Sequence, residues 1–225
     1  TARALGATHL TLVAPYLAYM RQDIAFNPGE VVSQQVVGRF LADLFDAVVT
    51  VDPHLHRIER LEQAIPVAQA VVLSGAPLLA ELLARELDRP VLIGPDAESA
   101  QWIAQAACAH GFDHGVCHKD RHGDREVTIH LPDLDVRGRA VVVLDDVASS
   151  GRTLAGATRL LLAAGAASVD VAVTHALFAG DALDVIHNAG VRQVWSTDCI
   201  AHTSNAVSVA PALTRALSTI LSTSQ

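Results

Sequence analysis

The feature that most constrains the fold is a regular alternation of short Val-rich runs with longer amphipathic segments. Apolar runs predict strands at 9–14, 47–52, 90–94, 139–144, 169–174 and 191–196, and helical patterns cover 31–45, 78–87, 98–110, 153–164, 181–188 and 209–221. The segment 125–131 alternates like an edge or hairpin strand, and 66–73 is ambiguous. Continuous apolar strands between helices are typical of a parallel sheet covered on both faces. We therefore expect a doubly wound α/β protein with mainly parallel sheets.

Composition and charge exclude several classes of protein. The 225 residues are 51% hydrophobic and carry a formal net charge of −8, which argues against a disordered chain and against a nucleic-acid binder held by bulk positive charge. No apolar run approaches the roughly 18 residues that a membrane span needs, and no signal-peptide pattern opens the sequence. The three cysteines are odd in number and widely spaced. They read as free thiols in a reducing compartment, so we expect a cytoplasmic protein.

The most informative stretch follows the cleanest strand pattern. After Val141–Leu144 come two adjacent carboxylates, Asp145 and Asp146, and then a loop rich in hydroxyl groups and a predicted helix. The loop consists of Ser149, Ser150, Gly151, Arg152 and Thr153. Backbone N–H groups at a helix N-terminus attract phosphate, and carboxylates accept hydrogen bonds from sugar hydroxyls. The pattern predicts a pocket for a phosphorylated sugar; the alternative is an ordinary helix cap beside an acidic strand end. It lacks the spacing and lysine of a Walker A loop.

Polar residues also follow other predicted strands. Arg21 offers a planar fork for phosphate, and Gln22 can hydrogen-bond a base edge, although a solvated turn explains this segment equally well. His54 beside Asp52 suits either a structural role or a ligand contact. Asp96 after a buried strand suggests Mg²⁺ or another ligand. The charged segment 119–125 is either an exposed loop or a mobile lid over phosphates.

The order of these motifs resembles the ribose-phosphate pyrophosphokinase (PRPP synthetase) family. The loop at 145–153 is similar to the ribose-binding loop that this family shares with phosphoribosyltransferases. The resemblance runs from about residue 8 to the end. In the first part of the chain, 19–23 is similar to Y-x-R-Q-D, 29–33 to G-E-x-x-S/T, and 51–54 to V-D-L-H with Pro for Leu. Further on, 94–96 is similar to the acid at the next strand end, 119–121 to K-x-R, 174–178 to T-H-x-x-F, and 204–209 to the segment before the last helix.

The resemblance implies a reaction and a role for each motif. The enzyme would transfer the diphosphoryl group of ATP to ribose 5-phosphate in nucleotide biosynthesis, with Mg²⁺ as cofactor. It implies that Arg21, Gln22, Asp23 and His54 bind ATP, that His54 and Asp96 lie at the metal, and that Lys119, Arg121 and His54 are catalytic. Asp145 and Asp146 would orient the ribose, directly or through Mg²⁺, and 149–153 would hold the 5-phosphate. We expect a homo-oligomer, and we expect neither nucleic acid nor a membrane as a partner.

The resemblance also implies two phosphoribosyltransferase-like domains and leaves two further functions open. We expect an incomplete ATP-side domain at 1–66, a ribose 5-phosphate domain at 67–208, and a helix at 209–225 that packs back on the first. The opening Thr1–Gly6 reads like a helix end, and nothing matches the family's N-terminal strand and hairpin, so a segment is expected to be missing. Arg152 and Ser150 depart from the family's usual loop. The alternatives are a phosphoribosyltransferase that uses PRPP and a non-catalytic, synthetase-like regulatory subunit.

Overall fold

The protein divides into two compact units of α/β structure. A computed structural model describes residues 1–25, 27–55, 57–122 and 126–223, of which 119–122, 126–128 and 223 are described by their backbone alone. The first unit comprises Thr1–Leu73 and Val209–Gln225, and the second comprises Ser74–Ser208. The first unit thus extends past position 66, because the ambiguous segment at 66–73 contains a strand of its sheet.

The regular elements follow the expected alternation. The strands are β1 (Thr11–Ala14), β2 (Ala47–Val51), β3 (Gln69–Leu73), β4 (Val91–Gly94), β5 (His114–Val116), β6 (His118–His122), β7 (Glu126–His130), β8 (Ala140–Ala148), β9 (Ser168–Ala176), β10 (Val191–Thr197) and β11 (Asn205–Val207). The α-helices are α1 (Ser33–Leu44), α2 (Ala76–Glu86), α3 (Ala100–Cys108), α4 (Arg152–Ala163), α5 (Ala182–Asn188) and α6 (Ala210–Thr223). Short 3-10 helices lie at Arg3–Leu5, Leu61–Gln63 and Ala97–Ser99.

The first unit is a three-stranded parallel sheet covered on both faces. Its strand order is β1-β2-β3, with Leu12 opposite Val48 and Val48 opposite Ala70. Successive residues of β2 face opposite sides, as the period of a strand requires. Val48 packs with Met20 and Ile65, whereas Ala47 and Val49 pack with Ala216 and Ile220 of α6. The last helix therefore belongs to the core of this unit.

The second unit is built on a six-stranded parallel sheet. Its order is β11-β10-β9-β8-β4-β5, and β8 lies between β9 and β4 in parallel register. Val141 and Val143 pack with residues of α4 and α5, such as Leu161 and Ile186. Val142 packs on the other face with residues of α2 and α3. Helices on both faces explain why the strands read as continuous apolar runs, and the prediction of an α/β protein with mainly parallel sheets is confirmed.

The structure differs from the sequence-based expectation in the charged segment. Residues 118–122 form β6, which pairs antiparallel with β7 in a two-stranded ribbon, His118 opposite His130. The alternating pattern noted at 125–131 corresponds to β7. Its partner β6 has no apolar pattern, so the sequence gives no sign of this strand. The expected loop at 119–125 thus begins as a strand, and residues 123–125 lie outside the described part. None of the helices in the described ranges is long and apolar enough to cross a membrane.

Candidate functional site

Two adjacent carboxylates lie near the carboxyl end of the central strand of the second unit. Asp145 and Asp146 are part of β8, which continues to Ala148. They point to opposite faces of the sheet because they are consecutive in a strand. Asp146 is only 4% exposed, and its N–H donates to Asp145 Oδ1 at 3.0 Å. Asp145 is partly buried, and a carboxylate near a strand end of a parallel sheet lies where ligands bind in such folds.

A third carboxylate joins this pair from the neighbouring strand. Asp96 follows β4, which runs parallel to β8 with Ile93 opposite Val143, and its Oδ1 accepts a hydrogen bond from the Glu98 N–H at 3.1 Å. Burial raises the pKa of the Asp145 carboxyl well above its usual range, and the charges of Asp146 and Asp96 raise it further. The cluster therefore favours a bound cation or hydroxyl donors.

The donor set fits a magnesium ion that shares its coordination sphere with substrate. Within the described ranges, no group of three or more His, Cys, Asp or Glu side chains is arranged to hold a metal by itself. Mg²⁺ is usually held by one or two carboxylates, with water and phosphate oxygens completing its octahedron. Asp96 and Asp145 provide such carboxylates near the ends of neighbouring strands. The resemblance-based assignment of Asp96 to the metal agrees with this chemistry and stays a prediction.

The loop after β8 ends at an open helix N-terminus. Ser149 is partly buried, Ser150 and Arg152 are exposed, and Thr153 lies in the first turn of α4. Among these fully described residues, no side chain caps the first N–H groups of α4. Unsatisfied N–H groups and the positive end of the helix dipole make such a terminus a site for anions. The loop therefore offers a phosphate cradle beside the carboxylates of β8.

Gly151 is required in this loop for two independent reasons. Its φ of +69° is in the left-handed region, which side chains with a Cβ rarely adopt. A Cβ at this position would lie 2.8 Å from the Ala182 carbonyl oxygen and 2.9 Å from Ile186 Cδ1. The close packing against α5 fixes the course of the loop. The sequence indicated a glycine-containing loop but gave no sign of this packing.

In the first unit, the predicted ATP residues follow β1 and β2 at the carboxyl edge of the sheet. Arg21 is exposed, and Gln22, Asp23 and His54 are partly buried. His54 has a φ of +56° and Asp52 a φ of +38°, and strained residues of this kind cluster at binding and catalytic sites. No sequence signal marks these left-handed positions. Their strain supports a functional role for the end of β2.

The amide of Gln22 is occupied by its own loop. Its Nε2 donates to the carbonyl oxygens of Ile24 at 3.1 Å and Val31 at 2.7 Å, and its Oε1 accepts from the Ser33 N–H. Both amide hydrogens and the oxygen are therefore used. In this arrangement the side chain holds the loop that joins Arg21 to α1. A contact between Gln22 and a base edge stays a prediction.

Asp23 is paired with a residue that sequence reasoning did not single out. Arg57 Nη1 lies 2.9 Å from Asp23 Oδ1 and 3.0 Å from Oδ2. The Asp23 side chain is 6% exposed and that of Arg57 52% exposed. Arg57 therefore neutralises a nearly buried carboxylate that lies two residues after Arg21 in the sequence. Only the fold reveals this pair, because the two residues are far apart in the sequence.

Lys119 and Arg121 lie in β6, opposite Ile129 and Val127 of β7. Their side chains are outside the described part of the structure, so their catalytic role stays a prediction.

The structure brings Asp96, Asp145, Asp146 and the loop 149–153 to one edge of the second unit. It places the four predicted ATP residues at one edge of the first unit.

The comparisons with known proteins identify first the class of domain and then the family. The phosphoribosyl transferase domain family matches residues 67–200. The ribose-phosphate pyrophosphokinase of Methanosarcina acetivorans is 35% identical over 213 residues, covering 94% of this chain and 73% of the relative. That of Halobacterium salinarum is 37% identical over 219 residues, covering 96% and 75%. The crystal structure of the phosphoribosylpyrophosphate synthetase from Mycobacterium smegmatis is similar in fold, with a TM-score of 0.82, 23% identity, and coverage of 98% of this chain and 74% of that one.

The fold and the loop after β8 define a phosphoribosyl transferase domain. The relatives go further, because their similarity extends over both units. The chain belongs to the ribose-phosphate pyrophosphokinase family. The resemblance inferred from the order of motifs is thereby confirmed.

Proposed function

We propose that this protein transfers the diphosphoryl group of ATP to the C1 hydroxyl of ribose 5-phosphate, giving PRPP and AMP. One observation carries the proposal: the strand that holds Asp145 and Asp146 leads into a loop that ends at a helix N-terminus without a side-chain cap. This arrangement suits a molecule with hydroxyl groups at one end and a phosphate at the other. Family membership supports the same reaction.

The residues of the second unit divide between the two ends of the sugar. The N–H groups and hydroxyls of 149–153 bind the 5-phosphate, and Asp145 and Asp146 accept hydrogen bonds from ribose hydroxyls. Arg152 is an exposed residue of this loop, and its planar guanidinium suits a second phosphate contact. Holding both ends fixes the C1 hydroxyl in one position, and positioning is the main requirement of phosphoryl transfer.

The transfer is an in-line displacement at the β-phosphorus of ATP. The C1 oxygen forms a bond to that phosphorus while the bond from the phosphorus to the α–β bridging oxygen breaks. AMP leaves with the bridging oxygen, and the hydroxyl proton passes to water. Mg²⁺ bound at Asp96 and Asp145 would supply neutralisation of phosphate charge. The site carboxylates orient the sugar and hold its hydroxyls.

The first unit supplies the residues proposed for ATP. Arg21 binds phosphate through its guanidinium fork, and Asp23 and Gln22 hold the loop that presents it. His54, at a strained position after β2, contacts an ATP phosphate or the metal. Lys119 and Arg121 neutralise charge that develops on the transferred group. These roles rest on the order of motifs shared with the family.

The cellular setting is also proposed. A cytoplasmic location agrees with the three free cysteines, Cys108, Cys117 and Cys199, and with two substrates of central metabolism. A homo-oligomer is expected from the family resemblance alone.

A single set of incubations tests the function against its alternatives. With Mg-ATP and ribose 5-phosphate, the proposal expects AMP in amounts that depend on both substrates. A phosphoribosyltransferase would instead release pyrophosphate from PRPP and a free base. A regulatory subunit would turn over neither mixture. Either of these last two results contradicts the proposed function.

A further inference from the structure

The segment that follows β9 is hydrogen-bonded to the loop between β8 and α4. The Phe178 N–H donates to the Ala148 carbonyl at 2.8 Å, and the Ala179 N–H donates to the Ser149 carbonyl at 3.0 Å. Two consecutive backbone bonds thus attach this segment to the first residues of the loop. Phe178 has a φ of +33°, a left-handed conformation that persists only when its surroundings impose it.

The side chain of Phe178 also makes a ring contact. The Phe178 ring lies on the imidazole of His202, with centroids 4.9 Å apart and ring planes tilted by 40°. Both side chains are partly buried. An aromatic pair at this distance is attractive and restricts both rings. His202 follows β10, so the contact joins the ends of two neighbouring strands of the sheet.

His202 is hydrogen-bonded to Ser204, which in turn contacts β10. Its Nδ1 accepts from the Ser204 N–H at 3.1 Å and lies 2.7 Å from Ser204 Oγ. Ser204 Oγ is 2.8 Å from Ser196 Oγ, and Asn205 Nδ2 donates to Ser196 Oγ at 2.9 Å. Ser196 is fully buried in β10. The imidazole is therefore linked through Ser204 to a fully buried residue of the sheet.

We propose that Phe178 and His202 form a positioning pair that holds the phosphate-binding loop in the position required to bind ribose 5-phosphate. The inference rests on the proposed function, since the sugar phosphate is the ligand of that loop. Neither ring need touch the substrate. His202 positions Phe178, and the backbone of Phe178 and Ala179 positions Ala148 and Ser149.

Two substitutions at one position separate positioning from general stability. His202→Ala removes the ring and should raise the KM and the calorimetric Kd for ribose 5-phosphate by about tenfold, because small displacements of a binding group are costly. The KM for ATP and kcat should stay within about twofold of wild type. His202→Phe restores a ring and should return the KM for ribose 5-phosphate to within about threefold.

The same unit offers a matched control in His110, which stacks on Phe112 with centroids 5.3 Å apart. His110→Ala removes a second His–Phe ring contact, away from the loop. It should leave the affinity for ribose 5-phosphate unchanged.

The outcomes distinguish this inference from the proposed function. If the wild-type protein binds ribose 5-phosphate but releases no AMP, the reaction is wrong, and the Kd series alone decides the positioning role. An unchanged Kd in His202→Ala, an equal rise in the KM for ATP, or a His202→Phe variant as impaired as His202→Ala overturns the positioning role. Absence of ribose 5-phosphate binding by the wild-type protein overturns both.

Discussion

Asp96 follows β4, Asp145 lies near the carboxyl end of the neighbouring parallel strand β8, and the pKa of the Asp145 carboxyl is raised by burial, by Asp146 and by Asp96. Burial is the largest cause of that shift, and Asp146 adds a second repelling charge. Such an arrangement costs stability in the absence of ligand. It is explained by what the cluster binds rather than by what holds the fold together.

The first prediction concerns the stability that the carboxylate cluster costs in the absence of ligand. Asp145→Asn keeps an acceptor for the Asp146 N–H and removes an ionisable carboxyl from the cluster. With a chelator present, it should raise the unfolding temperature by about 2–4 °C, or about 1 kcal/mol. AMP formation should fall by at least about 100-fold, because the sugar and the cation lose a carboxylate. Thermal unfolding and an AMP assay check both effects. Asp133→Asn, at an exposed position of the same unit, should change neither. A destabilised Asp145→Asn variant would refute the account of the cluster.

The second prediction concerns the shape of the phosphate-binding loop. In Gly151→Ala, the alanine would have a left-handed φ, and its Cβ would lie 2.8 and 2.9 Å from atoms of α5, which is too close. The substitution should therefore cost about 3 kcal/mol of unfolding free energy. Gly138→Ala is the matched control, because Gly138 has a φ of +66° and open space where the alanine Cβ would lie. It should cost only about 1–2 kcal/mol. Denaturant titration measures both, and the KM for ribose 5-phosphate should rise only in Gly151→Ala. Equal costs would show that packing against α5 is unimportant.

The third prediction concerns the pair of Arg57 and Asp23. Arg57→Ala leaves a nearly buried carboxylate without its cation, and should destabilise the protein by about 1–3 kcal/mol. Arg60→Ala breaks an exposed pair with Glu62, and should destabilise the protein less than Arg57→Ala does. A double-mutant cycle of Asp23→Ala and Arg57→Ala should give a coupling above about 0.5 kcal/mol. The KM for ATP should rise in Arg57→Ala alone. Additive effects in the cycle would disprove the pairing.

The fourth prediction concerns pH. A hydrogen bond from the Leu10 N–H lowers the pKa of Asp46, and Arg3 lowers it further. A carboxyl whose pKa is lowered by folding stabilises the protein above its unfolded pKa of about 3.9, and loses that effect as the pH falls through its folded pKa. Asp46→Asn should therefore lower the unfolding temperature at neutral pH, and the difference should disappear in acid. Unfolding temperatures of both proteins across the pH range measure it. The exposed Asp43→Asn should show no such trend, and a pH-independent difference for Asp46→Asn would contradict the assignment.

The sequence was sufficient where local pattern and tertiary environment agree. The run Val141–Val143 and the helix after Gly151 were predictable, because a buried strand is apolar throughout and a glycine precedes the helix start. The six strands predicted with a clear apolar run are all present. β5 and β11 were missed because three residues are too few to show a pattern.

The site was predictable only in part. Asp145, Asp146 and the loop at 149–153 were visible because they are contiguous in the sequence. The pairing of Asp23 with Arg57 and the stacking of Phe178 on His202 depend on residues that only the fold brings together. The internal use of the Gln22 amide was equally hidden. Left-handed positions such as His54 have no sequence signature, because the strain is imposed by surrounding structure.

The central claim is that a diphosphoryl group moves to the sugar. Phosphorus-31 NMR of the protein with Mg-ATP and ribose 5-phosphate tests it most directly, because the products of diphosphoryl and monophosphoryl transfer have different resonances. The account predicts AMP and PRPP in equal amounts and a strongly reduced rate in Asp146→Asn and Lys119→Ala. ADP with a sugar bisphosphate, or no change in the ATP resonances, would contradict it.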